Sequence, residues 1–139
     1  MEKFKRSSGI LVKNKDKILL CKRSPDKNFG NEWSIPMGKI EKNEKPIECA
    51  YREFYEETNL KINEPINLIG FLKKISKDKK TRNGIVFIYQ YETKNNFFIP
   101  DLENASDGHE HTECKYFKID NLPISKKNKN LISIIKNSN

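Results

Sequence analysis

Glu53, Glu56 and Glu57 stand at spacings of three and four residues inside Pro46–Leu60. An α-helix turns about 100° per residue. That rotation collects Ile47, Ala50, Tyr51, Phe54 and Thr58 on one side, and the three glutamates on roughly the opposite side. Neighbouring like charges repel at this spacing by a few tenths of a kcal/mol each. They also lie in the C-terminal half of the segment, where the helix dipole disfavours anions. A bound cation would remove both penalties, and an all-oxygen donor set suits a hard ion such as Mg²⁺ or Mn²⁺. A solvated acidic helix face is the other meaning of the same triplet, and the triplet alone does not separate the two.

The flanking residues do. Gly38 is followed by five residues and then Glu44; seven more lead to Arg52-Glu53-Phe54-Tyr55-Glu56-Glu57-Thr58-Asn59-Leu60. This run resembles the box of the Nudix hydrolase family, Gly-x5-Glu-x7-Arg-Glu-U-x-Glu-Glu-x-Gly-U, where U is a bulky apolar residue. It covers 23 residues, Gly38 to Leu60, and keeps six of the seven invariant positions. Asn59 replaces the last glycine. That position follows the helix and calls for left-handed backbone, which Asn accepts best among non-glycine residues. The resemblance extends to Trp33–Ile40 before the box and to Glu110–Pro123 near the end of the chain.

The resemblance implies a metal-dependent pyrophosphohydrolase. In its terms Glu53, Glu56 and Glu57 bind metal together with the backbone carbonyl of Gly38. Glu53 is a ligand or the general base. Arg52 orients a box carboxylate through a forked ion pair, a task that fits a planar guanidinium. Glu44 supports the metals or partners Arg52. The general base varies across the family; Glu103, Glu110 and Glu113 are candidates here, with Glu110 preferred. Arg23 and Lys39 are placed to meet substrate phosphates. His109 and His111 flank Glu110, and with no third ligand evident they read as surface or substrate-side histidines rather than a metal pair. Trp33 reads as core packing beside the box.

These side chains need a scaffold. Residues 8–13 and 17–23 predict two strands joined by a turn at Asn14-Lys15-Asp16, and Pro36 keeps Ile35 extended. A helix is expected over 46–59, with Pro46 in its first turn. Strands are expected over 66–76, 84–93 and 114–119, a short one over 96–99, and a C-terminal amphipathic helix over 124–136. Mixed strands with one central and one terminal helix predict an α/β layered domain. The family resemblance sharpens this to an α/β/α sandwich around a mixed sheet, with residues 1–139 as a single Nudix domain. The basic stretch Lys73 to Arg82 reads as a solvated hairpin tip, because it lacks the interleaved aromatics of a single-strand platform.

Composition narrows the function classes. Charged residues make up 33% of the chain, and no apolar run approaches the ~20 residues that span a bilayer. No secretory leader is seen, so no membrane and a cytoplasmic location are expected. The three cysteines, Cys21, Cys49 and Cys114, show no disulfide framework or zinc spacing and are expected to be reduced. The net charge of +8 would draw a polyanion, although 23 lysines against 4 arginines and 16 asparagines also fit a compositional bias. The expected substrate is a small nucleotide, a nucleoside triphosphate or dinucleoside polyphosphate. The alternative is an RNA 5′ end. A non-catalytic nucleotide-binding module ranks third, because all four box glutamates are present. Either a monomer or a homodimer is compatible with this reading.

Overall fold

The computed structural model describes residues 4–27, 30–74, 83–94, 98–106 and 109–138. Strand β1 (Phe4–Asn14) runs through the middle of the sheet, and its alternation explains the layering. Ile10 and Val12 enter one buried cluster with Ala50 and Phe54 of helix α1 (Pro46–Thr58). Leu11, between them, enters a second cluster with Leu131 and Ile135 of α2 (Lys129–Asn137). Successive strand residues face opposite sides, so this strand needs a helix on each face. The α/β/α sandwich expected from the sequence is the observed architecture.

Among the described residues the sheet has seven strands. Its path is β3 (Trp33–Ser34), β2 (Lys17–Arg23), β1, β6 (Asn83–Glu92) and β5 (Asn67–Lys74). Strand β4 (Met37–Lys39) pairs with β1, and β7 (His111–Lys118) with β2. The β1–β6 pair is parallel over ten residue pairs, while every other pairing is antiparallel, so the sheet is mixed. β1 and β2 touch only at their hairpin, Lys13 opposite Ile18. Beyond it they diverge: β4 takes the place beside Ser7–Gly9 of β1, and β7 runs the length of β2.

Phe54 is fully buried and stacks on Phe98, with ring centroids 6.1 Å apart. Truncating it to alanine would cost about 3–5 kcal/mol, which makes it the single side chain that most fixes the helix to the sheet.

Three sequence expectations change. The strand expected over 96–99 is absent at Phe98 and Ile99, which are irregular; its other residues lie outside the described ones. The C-terminal helix begins later, at Lys129, after a 3₁₀ turn over Lys126–Asn128 that Ser125 caps through its Oγ. Cys21 and Cys114 are joined by a disulfide, because β2 and β7 place them directly opposite with Cα atoms 4.0 Å apart. Only Cys49 is a free thiol, and it is buried. The basic stretch from residue 75 to Arg82 lies outside the described residues.

Candidate active site

Helix α1 starts at Pro46, whose missing N–H costs nothing in the first turn. The Lys45 N–H is held by the Glu48 carboxylate at 2.8 Å. The helix stops at Asn59, which adopts φ 58° and ψ 23°, the left-handed conformation anticipated for the box's variant position. Two carbonyls of the last turn accept bonds from a following loop: Thr58 from the Asp101 N–H at 2.8 Å, and Glu56 from the Ser106 N–H at 3.0 Å. Helix ends leave such carbonyls without intrahelical partners, so the loop around 98–106 is part of the helix's C-terminal anchor.

Arg52 is the hub of the box. Its Nε and Nη2 grip the two oxygens of Glu44 at 2.7 and 3.0 Å, a forked pair. Nη1 donates to Glu53 at 2.9 Å and reaches Glu56 at 3.2 Å, and Nη2 also donates to the Lys39 carbonyl at 3.0 Å. Glu41, which the sequence did not single out, adds a carboxylate 3.2 Å away. Of the two sequence readings for Glu44, partnership with Arg52 is the one observed. The guanidinium lowers the Glu44 pKa below the usual carboxylate range, and its own proton is held more tightly in return. One planar cation thus gathers the acidic residues of the loop and the helix.

Glu53 lies over Gly38. A Cβ placed on Gly38 would come within 2.0 Å of the Glu53 carboxyl carbon, so any larger residue here would push this carboxylate aside. Burial raises the Glu53 pKa, against the lowering effect of Arg52, and the neighbouring Glu56 charge raises it further. The Gly38 carbonyl accepts a bond from the Cys49 thiol at 3.5 Å. Cys49 lies one turn before Glu53 and so faces the same glycine, a relation the helix period could have revealed. Burial pushes its thiol up to about 12.

Glu57 corrects the sequence reading of an acidic face turned away from the core. It is 1% exposed. Its carboxylate lies 3.6 Å from Nδ1 of His111, itself only 7% exposed, at the start of β7. Burial, and then the charge of Arg23, depress the His111 pKa to about 4. The imidazole is therefore neutral near pH 7, and the contact is polar rather than ionic. His111 Nδ1 has no hydrogen bond among the described residues. The expectation of a surface or substrate-side histidine fails at this position, because the register of β7 turns the ring inward opposite Arg23. His109 is exposed, as expected.

Arg23 and Glu110 come together, 3.6 Å apart and each about one-third exposed. The Ser24 N–H donates to the Glu110 carbonyl at 2.8 Å, and its hydroxyl to the His109 carbonyl at 2.6 Å, which fixes this corner. The other two candidate bases lie apart from the box network: Glu103 is exposed in a 3₁₀ turn, and Glu113 pairs with Lys115 at 3.5 Å. Lys39 is exposed beside the box loop. Trp33 is half-buried, edge-on to Phe117 at 4.9 Å, in agreement with a packing role.

Among the described residues, the ligating side chains do not form a closed cluster of three or more. The donors offered by Glu53, Glu56, Glu57 and the Gly38 carbonyl are nevertheless all oxygen, the set that hard divalent cations take. Arg52 now engages Glu53 and Glu56, so a cation would share or replace that partner. Among the described residues no helix is long and apolar enough to cross a membrane.

Comparison with known proteins bears on the family and the fold. The RNA pyrophosphohydrolase of Bartonella henselae is 36% identical over 65 residues, covering 42% of this chain and 37% of the relative. A probable DHNTP pyrophosphohydrolase of Lactococcus lactis subsp. cremoris is 28% identical over 129 residues, covering 84% of this chain and 73% of the relative. The chain thus spans well under half of the first relative and about three-quarters of the second. The structure of a MutT NUDIX hydrolase from Burkholderia pseudomallei superposes with a TM-score of 0.77 at 19% identity, over 95% of this chain and 98% of that one. The family model described as the NUDIX domain matches residues 3–137. By the extent of that match, this chain belongs to the NUDIX domain family.

Proposed function

We propose that the protein is a divalent-metal-dependent pyrophosphohydrolase that cleaves a phosphoanhydride bond in a nucleoside diphosphate linked to another group. The carrying observation is the Arg52-centred network, which aligns Glu44, Glu53 and Glu56 beside Gly38. In this reading Glu53, Glu56, Glu57 and the Gly38 carbonyl hold Mg²⁺ or Mn²⁺. The metal would polarise the diphosphate and acidify a water.

The chain's own groups do the rest. Arg52 keeps the carboxylates oriented through its fork on Glu44. Glu53, raised in pKa by burial, can take a proton and is one candidate base. Glu110 is the other, and Arg23 beside it holds its carboxylate in place. Arg23 and Lys39 supply positive charge for substrate phosphates. The substrate class favoured is a small nucleotide, a nucleoside triphosphate or a dinucleoside polyphosphate. The RNA 5′ end stays as the second reading, favoured by the similarity to an RNA pyrophosphohydrolase and by the net charge of +8.

The test is turnover with Mg²⁺ and with Mn²⁺ against nucleoside triphosphates, dinucleoside polyphosphates, ADP-ribose, and triphosphorylated and capped RNA, with Glu56→Gln as the blank. Metal-dependent release of monophosphate, phosphate or pyrophosphate, absent in the blank, is the expected result. Equal turnover by wild type and blank would overturn the site. A folded protein that binds metal and turns over no member of the panel would favour a binding module.

A further inference from the structure

Arg6, Phe87 and Phe71 form a row across three neighbouring strands. The Arg6 guanidinium carbon lies 5.9 Å from the centre of the Phe87 ring, and Phe71 meets Phe87 edge-on with centroids 5.3 Å apart. Register explains the row: Phe87 of β6 is opposite Ser8 of β1 on one side and Phe71 of β5 on the other. Phe71 is 49% exposed and Phe4, two residues before Arg6 on the same face of β1, is 47% exposed. Lys73, two residues after Phe71 on the same face of β5, is exposed as well.

This end of the sheet has one sign of charge. Among the described side chains of residues 4–8, 71–73 and 83–87 the charged ones are Lys5, Arg6 and Lys73, and none is acidic. It also adjoins the box loop. The Ile40 N–H donates to the Arg6 carbonyl at 2.9 Å, and Ser8 pairs with Gly38.

Exposed aromatics on a sheet face, interleaved with cations, are what unpaired bases and their phosphates require, because every base has a face that stacks. We propose that this surface binds a single-stranded polynucleotide, with bases stacked on the exposed Phe71 and Phe4 rings and phosphates met by Arg6 and Lys73. A second copy of the chain fits it worse. A two-fold pairing through this face would bring the basic patch of Arg6 and Lys73 in one copy against the same basic patch of the other. The inference rests on the pyrophosphohydrolase reading in one respect: the adjoining site would then act on the 5′ end of the bound strand.

Binding is measured by fluorescence anisotropy with short 3′-labelled RNA and DNA strands of mixed sequence, in EDTA. Without metal no turnover is needed, so failure here is distinct from failure of the hydrolase reading. Wild type should bind, and more weakly as salt rises. Phe71→Ser, at an exposed position, should weaken binding roughly 5- to 100-fold. Arg6→Gln should reduce the salt slope by roughly 0.7. Both variants should keep wild-type thermal stability to within a few degrees and wild-type turnover of the best small nucleotide. Tighter binding of RNA than DNA, or equal binding of the two, supports the platform. It is overturned if wild type does not bind, if both variants bind as wild type does, or if a duplex binds as tightly as a single strand. It is likewise overturned if sedimentation shows a dimer that Phe71→Ser dissolves.

Discussion

Two sides of the box treat their carboxylates in opposite ways. Toward the loop, Glu44, Glu53 and Glu56 surround one guanidinium, partly in water, with forked and charge-assisted bonds. Toward β7, Glu57 is buried against an uncharged imidazole. In the first arrangement each carboxylate receives a hydrogen bond from Arg52, although the one guanidinium balances only one of their charges. The second places a carboxylate where burial is costly, a cost that a bound cation would offset. In the proposed reading the difference separates residues that hold the site's shape from Glu57, which would serve the metal.

The sharpest way to break this comparison is a pair of isosteric amides. Glu57→Gln should remove nearly all turnover, by more than the roughly 10–100-fold typical of losing a supporting partner, while leaving the thermal midpoint unchanged or higher. Glu44→Gln should do the reverse in kind: a smaller loss of activity and a clear drop in midpoint, because half of the Arg52 fork goes unpaired. The pH sign follows from Glu44's depressed pKa. Its contribution is present above the unfolded value near 4.5 and disappears as pH falls through the lower folded value, so acid melts of the variant should be the flatter ones. If Glu57→Gln destabilises the fold more than Glu44→Gln, the assignment of roles is wrong.

Gly38→Ala comes next in size. The new methyl would collide with the Glu53 carboxyl group. A loss of about 1–3 kcal/mol in denaturant melts is expected, accompanied by reduced turnover; a variant with wild-type values in both would mean that Glu53 does not rest on Gly38.

Tyr116 sharpens the β7 side. Its hydroxyl donates to the Phe98 carbonyl at 2.7 Å, and Phe98 stacks on Phe54 of α1. Burial pushes the phenol up to about 12. A raised folded pKa gives stability that is complete below the unfolded value near 10 and is lost as pH rises from there toward 12. Midpoints measured across that window should fall less steeply in Tyr116→Phe than in wild type. Identical slopes would remove Tyr116 from the account.

The smallest effect is expected at Asn59→Gly, which restores the family's box residue. The left-handed backbone becomes easier, while the 3.3 Å bond from Asn59 to Asp101 is lost, so stability should move by less than about 1 kcal/mol with turnover unchanged. A large loss of turnover would show that the side chain at Asn59 takes part in the site.

The same contrast explains how much was legible in the sequence. Spacing within one helix is fixed by its period, so Arg52, Glu53 and Glu56 could be grouped from the chain alone, and the left-handed turn at Asn59 could be read from residue type. The sandwich followed from strand and helix patterns together with the box. What escaped depends on pairing between distant strands. The inward turn of His111, the meeting of Cys21 with Cys114, and the aromatic row from Phe71 to Arg6 are all set by register, and a shift of one residue would reverse every side chain involved. Near-alternation of charged and apolar residues in β7 left that choice open.

The parallel pairing of β1 with β6 has a consequence for how the chain is made. Strand β1 is central in the sheet and precedes β6 in the chain, yet this partner over ten residue pairs ends only at Glu92. Parallel neighbours far apart in sequence form only after a long loop closes, and such contacts are slow to organise. Until then β1 has the nearby hairpin with β2 and the short β4 for company, and an edge of hydrogen-bonding groups stays open to water and to other chains. Nascent fragments ending before β6 should therefore be sticky and protease-sensitive, and the box helix should lack its full sheet to lie on until synthesis has passed Glu92.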